Sequence, residues 1–194
     1  MSLIEIVLIT IGVSLDTFAA VECRGAVVAR LEKKQLALAV TLTAIWQTIA
    51  LLIGDFLVTL LNRYDVKLSD EAFIGRILAI LILFGMGLRM FVKAWRNEGI
   101  VEKREDRLNL KKTFLPIARG TIFTILTGIV FGFLEADLRA VLAMIICVTI
   151  AIVIIGLYTG YRFGFEQKSK AYIIGGALLI AAGIDVIVRF IVLR

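Results

Sequence analysis

Six long apolar runs, separated by short polar breaks, constrain this chain more than anything else in it. They are Leu3 to Val28, Leu36 to Leu61, Phe73 to Trp95, Thr113 to Phe133, Leu138 to Leu157 and Tyr172 to Leu193. A bilayer-spanning helix needs about 20 predominantly apolar residues, and all six runs meet that length. The composition agrees. Of 194 residues 60% are hydrophobic and the mean hydropathy is +0.97, where a soluble domain is about 45–50% apolar. The sequence predicts an all-α polytopic membrane protein of six transmembrane helices, with the lipid bilayer as its first partner and the cell (plasma) membrane as its location.

The polar breaks set the expected topology. The net charge of +6 would suit nucleic acid if it formed a patch, but the basic residues cluster between apolar runs, so no nucleic-acid partner is expected. Loops one, three and five with their flanks hold most of the Lys and Arg, among them Arg30, Lys93, Arg96, Arg107, Arg162 and Lys168. Loops two and four hold Arg63, Lys67, Arg76 and Arg139. Positive loops face the cytoplasm, so both termini are predicted to be extracytoplasmic. The first run has only Glu5 before its apolar core and carries charge within it, unlike a cleaved signal. It reads as a retained span. Glu135, Asp137 and Arg139 at the junction of the fourth and fifth runs read as a tight turn at the membrane surface.

The charged segment 96–112 divides the chain into two three-run halves, 1–95 and 113–194. The halves resemble each other weakly: ILILFGMGLRMF in the third run parallels ALLIAAGIDVIV in the sixth, aligning Gly87 with Gly183, and LLIGDF in the second parallels IIGLYTG in the fifth. With an odd number of spans per half, the second copy must be inverted, the plan of many secondary transporters, whose sites lie near the midplane between repeats. Gly156, Gly160 and Gly164, and likewise Gly128 and Gly132, recur every four residues and permit close helix approach. That approach serves packing within the chain or a homodimer.

Polar residues inside the runs are the functional candidates, because a charge at a helix centre costs roughly 2.5–3.5 kcal/mol on insertion scales. Asp16 is the deepest, about 13 residues or roughly 20 Å into its helix, with Ser14 and Thr17 beside it as oxygen donors. The bland alternative is a carboxylate that is protonated or paired with a buried cation. Glu22 lies about 240° further round the same helix, beside Arg24 near its end, as a pathway acid or an interfacial charge. Asp55 falls near the outer end of the second run. Arg89 and Asp185 occupy equivalent repeat positions at opposite depths and so should not pair. Thr121, Thr124 and Thr127 keep to one face of the fourth helix, lining a polar path or bonding back to their own carbonyls. Gln47 beside Trp46 adds a mid-helix carbonyl oxygen.

These oxygens limit the chemistry. There is no histidine, and Cys23 and Cys147 are far apart and outside any CxxC. A bound metal would therefore be one that accepts carboxylate, hydroxyl and carbonyl ligands, such as magnesium, calcium or manganese rather than zinc or copper. No HExxH, GxSxG or P-loop occurs, so neither an enzyme nor a nucleotide-driven pump is expected, and no resident cofactor.

At these residues the chain resembles the manganese efflux pump family, MntP, of the lysine-exporter-like superfamily. SLDTFAAVECRG, Ser14 to Gly25, is similar to that family's first-helix motif, and TAIWQTIALLIG to its second helix. ILFGMGLRMFVKAW resembles the third, and GYRFG with IIGGALLIAAGI the last loop and helix. The family repeats a Ser-x-Asp motif in its fourth helix, where this chain has Thr121-Ile122-Phe123, so the second carboxylate is missing. LEADLRAVLAMI faintly resembles the second acidic motif of the tellurium-resistance-type branch. The resemblance implies a secondary exporter of a divalent cation, Mn2+ foremost, at Asp16, Ser14, Thr17 and Gln47, with Glu22, Asp55, Thr121, Thr124 and Asp185 along the pathway. An exporter of small organic solutes such as amino acids, with Arg89 and Arg119 facing an anionic group, and a non-transporting membrane component are the alternatives.

Overall fold

In a computed structural model the described residues form almost wholly six long helices. The structure describes residues 3–30, 32–63, 71–96, 105–107, 110–164 and 166–192. The helices are α1 (Leu3–Val27), α2 (Lys33–Arg63), α3 (Glu71–Arg96), α4 (Leu110–Phe133), α5 (Leu138–Phe163) and α6 (Gln167–Val192). Two three-residue strands, β1 (Val28–Arg30) and β2 (Glu105–Arg107), pair in parallel with Val28 opposite Glu105. This strand pair was not foreseen. It ties the charged segment between the halves to the end of α1.

Each apolar run is helical where described, except that Val28 at the end of the first opens β1. Among the described residues, α1, α2, α3, α5 and α6 are long and apolar enough to cross a membrane, and α4 contributes a shorter apolar stretch, Gly120–Phe133. Leu193 lies outside the described residues.

Burial explains the composition. Leu38, Leu42, Ile45, Ile49, Leu52 and Phe56 of α2 are exposed. They recur every three or four residues, so they form one stripe on a helix face. Similar exposed rows occur on α3 and α5. An apolar surface this continuous marks a lipid or protein interface, and lipid is the solvent it suits. The core proper joins Ile9, Val13, Leu83, Val130, Ile145 and Leu179, all buried, from α1, α3, α4, α5 and α6.

The expected tight turn is present. Leu134 N–H donates to Val130 O at 3.0 Å and Ala136 N–H to Phe131 O at 3.1 Å, with Glu135 at φ 51°. Asp137 then caps α5, its Oδ1 accepting from Arg139 N–H at 3.1 Å. A side-chain oxygen here satisfies one of the orphan donors of the first turn. At the other end of α5, Gly164 adopts φ 76° and donates its N–H to Gly160 O at 2.9 Å.

The glycines explain how the helices meet. A Cβ on Gly25 would collide with the carbonyl oxygen of Leu157, and one on Gly160 with that of Glu22, so α1 and α5 touch backbone to backbone. On the other side of the bundle, Gly128 meets the Leu51 carbonyl and Gly54 that of Ile125, so α2 and α4 cross in the same way. Between α3 and α6, Gly87 packs on Ile180 and Gly183 on Phe84. These glycines serve contacts within one chain.

Candidate functional site

Asp16 sits in the middle of α1, the helix with the largest buried share among the apolar spans. Its carboxylate does not stand alone. Lys93, near the end of α3, donates to Asp16 Oδ1 at 2.5 Å, with the side chains 31% and 15% exposed respectively. Leaving one member of such a pair without the other is far costlier than the pair itself, so Lys93 explains how α1 tolerates a mid-helix charge. Gly120 of α4 lies against the other oxygen, and a Cβ there would come within 3.4 Å of Asp16 Oδ2.

Aromatic rings surround the pair. The Lys93 ammonium lies 5.2 Å from the Tyr172 ring centre and 5.7 Å from that of Phe123. One turn earlier on α3, the Arg89 guanidinium stacks on Phe123 at 3.6 Å. Cation–π contacts hold within about 6 Å, so Phe123 engages both cations. Asp16, Phe123, Met86 and Leu179 line a cavity of about 10 Å³, room for about one water. It shares Arg89 and Lys93 with a larger cavity of about 340 Å³ between α3 and α6, lined also by Arg96, Lys168 and Tyr172.

A second polar cluster links α1, α2 and α5. Gln47 Nε2 donates to Thr17 Oγ1 at 2.6 Å, and Thr149 Oγ1 donates to Gln47 Oε1. Both amide ends of a buried glutamine are thereby engaged. Trp46 Nε1 donates to Thr121 Oγ1 at 2.6 Å, joining α2 to α4. Thr17 follows Asp16 in sequence, yet neighbouring residues on a helix do not face each other. The structure accordingly turns Asp16 to Lys93 and Thr17 to Gln47. Ser14 is buried on α1.

The remaining candidates are spread over the bundle. Glu22 is fully buried, and its Oε1 accepts from the backbone N–H of Gln167 at 3.0 Å, capping the start of α6. Its other oxygen is buried with no hydrogen-bond partner among the described residues. Thr124 is buried, and Thr127 donates back to Phe123 O at 2.7 Å. Asp55 is half-buried near the far end of α2, where its backbone carbonyl accepts from Thr59 Oγ1 at 3.1 Å. Asp185 joins a network at the opposite end from Lys93: Arg189 Nε donates to Asp185 Oδ2 at 3.3 Å and lies 3.2 Å from Glu5 Oε1. Arg89 and Asp185 do not pair in this arrangement. The side chain of Arg119 lies outside the described residues. Among the described residues, no three of His, Cys, Asp or Glu come together.

Sequence reasoning missed Lys93 as a partner, counting it only as a loop flank, and missed Thr149 and Tyr172. The available signal for Lys93 was its spacing of four from Arg89, which puts both cations on one face of α3.

Comparison with known proteins closes the question of kinship. A family model described as "Putative manganese efflux pump" matches residues 30–187. Relatives with that description include one from Acetivibrio thermocellus, 26% identical over 187 residues, covering 96% of this chain and 91% of the relative. Another, from Desulfitobacterium hafniense, is 28% identical over 186 residues, covering 96% and 94%, and one from Xylella fastidiosa is 28% identical over 188 residues, covering 94% of each. No solved structure matches. With a family model spanning most of its length, this multi-pass helical chain belongs to the manganese efflux pump family.

Proposed function

We propose that this chain is a secondary exporter of a divalent cation, manganese foremost, whose work is transport with no covalent chemistry. The relatives' description supplies the cargo. The observation that carries it to this chain is Asp16, a carboxylate midway along a largely buried helix, beside a cavity and paired with the Lys93 ammonium. Ser14, Thr17 and Gln47 are oxygen donors within the same layer of the bundle.

Lys93 gives the cycle a physical basis. Its ammonium is a tethered counter-ion that keeps Asp16 neutralised when no cargo is bound. An arriving cation displaces it, and the ammonium moves toward the Phe123 and Tyr172 rings already within about 6 Å of it. On release, Lys93 or a proton returns to the carboxylate, so Asp16 is not left as a bare charge when the cargo has gone. The Lys and Arg excess supports an orientation with the Lys93 end in the cytoplasm and both termini outside.

Two inverted halves, 1–95 and 113–194, suit alternating access between them. This reading is supported by the crossings. Exchanging α1 with α4 and α2 with α5 turns the contact of Gly25 with Leu157 into that of Gly128 with Leu51. The same exchange turns Gly160 with Glu22 into Gly54 with Ile125. Exchanging α3 with α6 turns Gly87 with Ile180 into Gly183 with Phe84.

Expression in a bacterial strain lacking its own manganese exporter tests the function. The expected outcome is restored growth at inhibitory manganese and lowered cell manganese, both lost in Asp16→Asn. Unchanged manganese tolerance with the wild-type chain present in the membrane would contradict it.

A further inference from the structure

The surroundings of Asp16 are unusual for a cation path, with four basic side chains against one carboxylate among the described residues of the two cavities. The larger cavity, about 340 Å³, is walled by Arg89, Lys93 and Arg96 from α3 and by Lys168 and Tyr172 from α6. No acidic side chain among the described residues lines it.

Membrane topology explains basic residues at helix ends, where long side chains reach toward headgroups. It does not explain Arg89. That residue lies two turns inside the end of α3, and its guanidinium is laid flat on Phe123 at 3.6 Å. Arg89, Lys93 and Arg96 also share one face of α3, a spacing at which like charges oppose helix formation. Lys93 is engaged with Asp16 and Lys168 feels the Glu22 carboxylate, yet four cations still gather around one open volume.

We propose that this cavity binds a compact oxyanion, a carboxylate- or phosphate-bearing group, through Arg89, Arg96 and Lys168, with Tyr172 as its floor. The planar fork of a guanidinium matches both kinds of oxyanion bidentately, and two arginines line the same space. The volume falls in the range of small-ligand pockets, about 300–1,000 Å³, more than a water or a halide needs and enough for a small organic acid or a phosphate headgroup. The site needs no divalent cation and stands whether or not the chain exports manganese. It bears on that cycle at one point, because an oxyanion in the cavity competes with Asp16 for the Lys93 ammonium. Occupancy of one site then favours occupancy of the other by the opposite charge.

The test is calorimetric titration of the full chain in neutral-detergent micelles, free of divalent cations, with inorganic phosphate and, separately, succinate. Saturable binding of either is expected. It should weaken by about tenfold or more in Arg96→Gln and in Lys168→Gln, since each removes a charged hydrogen bond. The doubly conservative Arg96→Lys, Lys168→Arg chain should stay within a few-fold of wild type, which separates lost charge from lost folding. The parallel arm uses phosphatidylcholine nanodiscs with and without phosphatidylglycerol. Retention of phosphatidylglycerol by the wild type but not by the two glutamine variants, with no binding of phosphate or succinate, assigns the oxyanion to a lipid headgroup. Absence of saturable binding in every arm, or binding unchanged in both glutamine variants, overturns the proposal. Because no cation is present, that failure would leave the exporter reading untouched, and absent manganese transport would leave this site untouched.

Discussion

The crossing of α1 with α5 and the crossing of α2 with α4 are built alike and equipped differently. In each, two glycines bring backbone carbonyls within contact of the opposite helix. Beside the first crossing lies Asp16, held by Lys93. In α4 the position set by that glycine register is Arg119, and the position set by the family motif, one turn on, is Phe123. Neither is a carboxylate. The two crossings share their packing, but beside the second stands a ring that takes a cation on its face. Scaffold and site are therefore separable in this molecule, and they answer to different substitutions.

The largest effects should come from breaking the crossings themselves. Gly25→Val and Gly128→Val each drive side-chain atoms into a backbone carbonyl, at the upper end of the overpacking range or beyond, about 3 kcal/mol. Thermal unfolding in detergent should show comparable losses for the two. A large loss for one and none for the other would mean the crossings are not equivalent.

Next in size are changes that alter the site and spare the scaffold. Phe123→Asp restores the missing acid, and adding a charged ligand raises cation affinity by roughly tenfold. Manganese titration should show this, and an unchanged affinity would separate Phe123 from the site. Lys93→Gln removes the competitor for Asp16. Apparent affinity is scaled by the competent fraction, so manganese should bind several-fold to about tenfold more tightly at equilibrium. Weaker binding would make Lys93 a support of the site.

The smallest contrast lies in two threonines at matching places in the crossing helices. Thr149 donates to Gln47, whereas Thr43 donates back to Ala39 O at 2.7 Å on its own helix. Thr149→Val strands a buried amide oxygen and should cost about 1–3 kcal/mol. Thr43→Val removes a back-bond that contributes little and should shift the unfolding midpoint hardly at all. Equal shifts would remove Gln47 from the account.

These contrasts also separate what was legible in the sequence from what was not. The six helices, the turn at Glu135 and the packing glycines are written locally, in run length, charge at a junction and four-residue spacing. The mid-helix position of Asp16 is legible for the same reason. Its partner is not, because periodicity tells which residues share a face of α3 but not which helix that face meets. The role of Glu22 as a cap for α6 likewise depends on where a helix more than 140 residues later begins. Gln47 could be read as a mid-helix amide, but its engagement by Thr17 and Thr149 arises from three helices converging. The strand pair of β1 and β2 is too short to leave a pattern.

Manganese flux into proteoliposomes containing a metal-sensitive dye, wild type against Asp16→Asn, tests the central claim most directly. The account predicts saturable flux through the wild type and a loss to the level of empty liposomes in the variant, with the folded state retained by unfolding in detergent. Equal flux through both proteins, or none through a folded wild type, would contradict it.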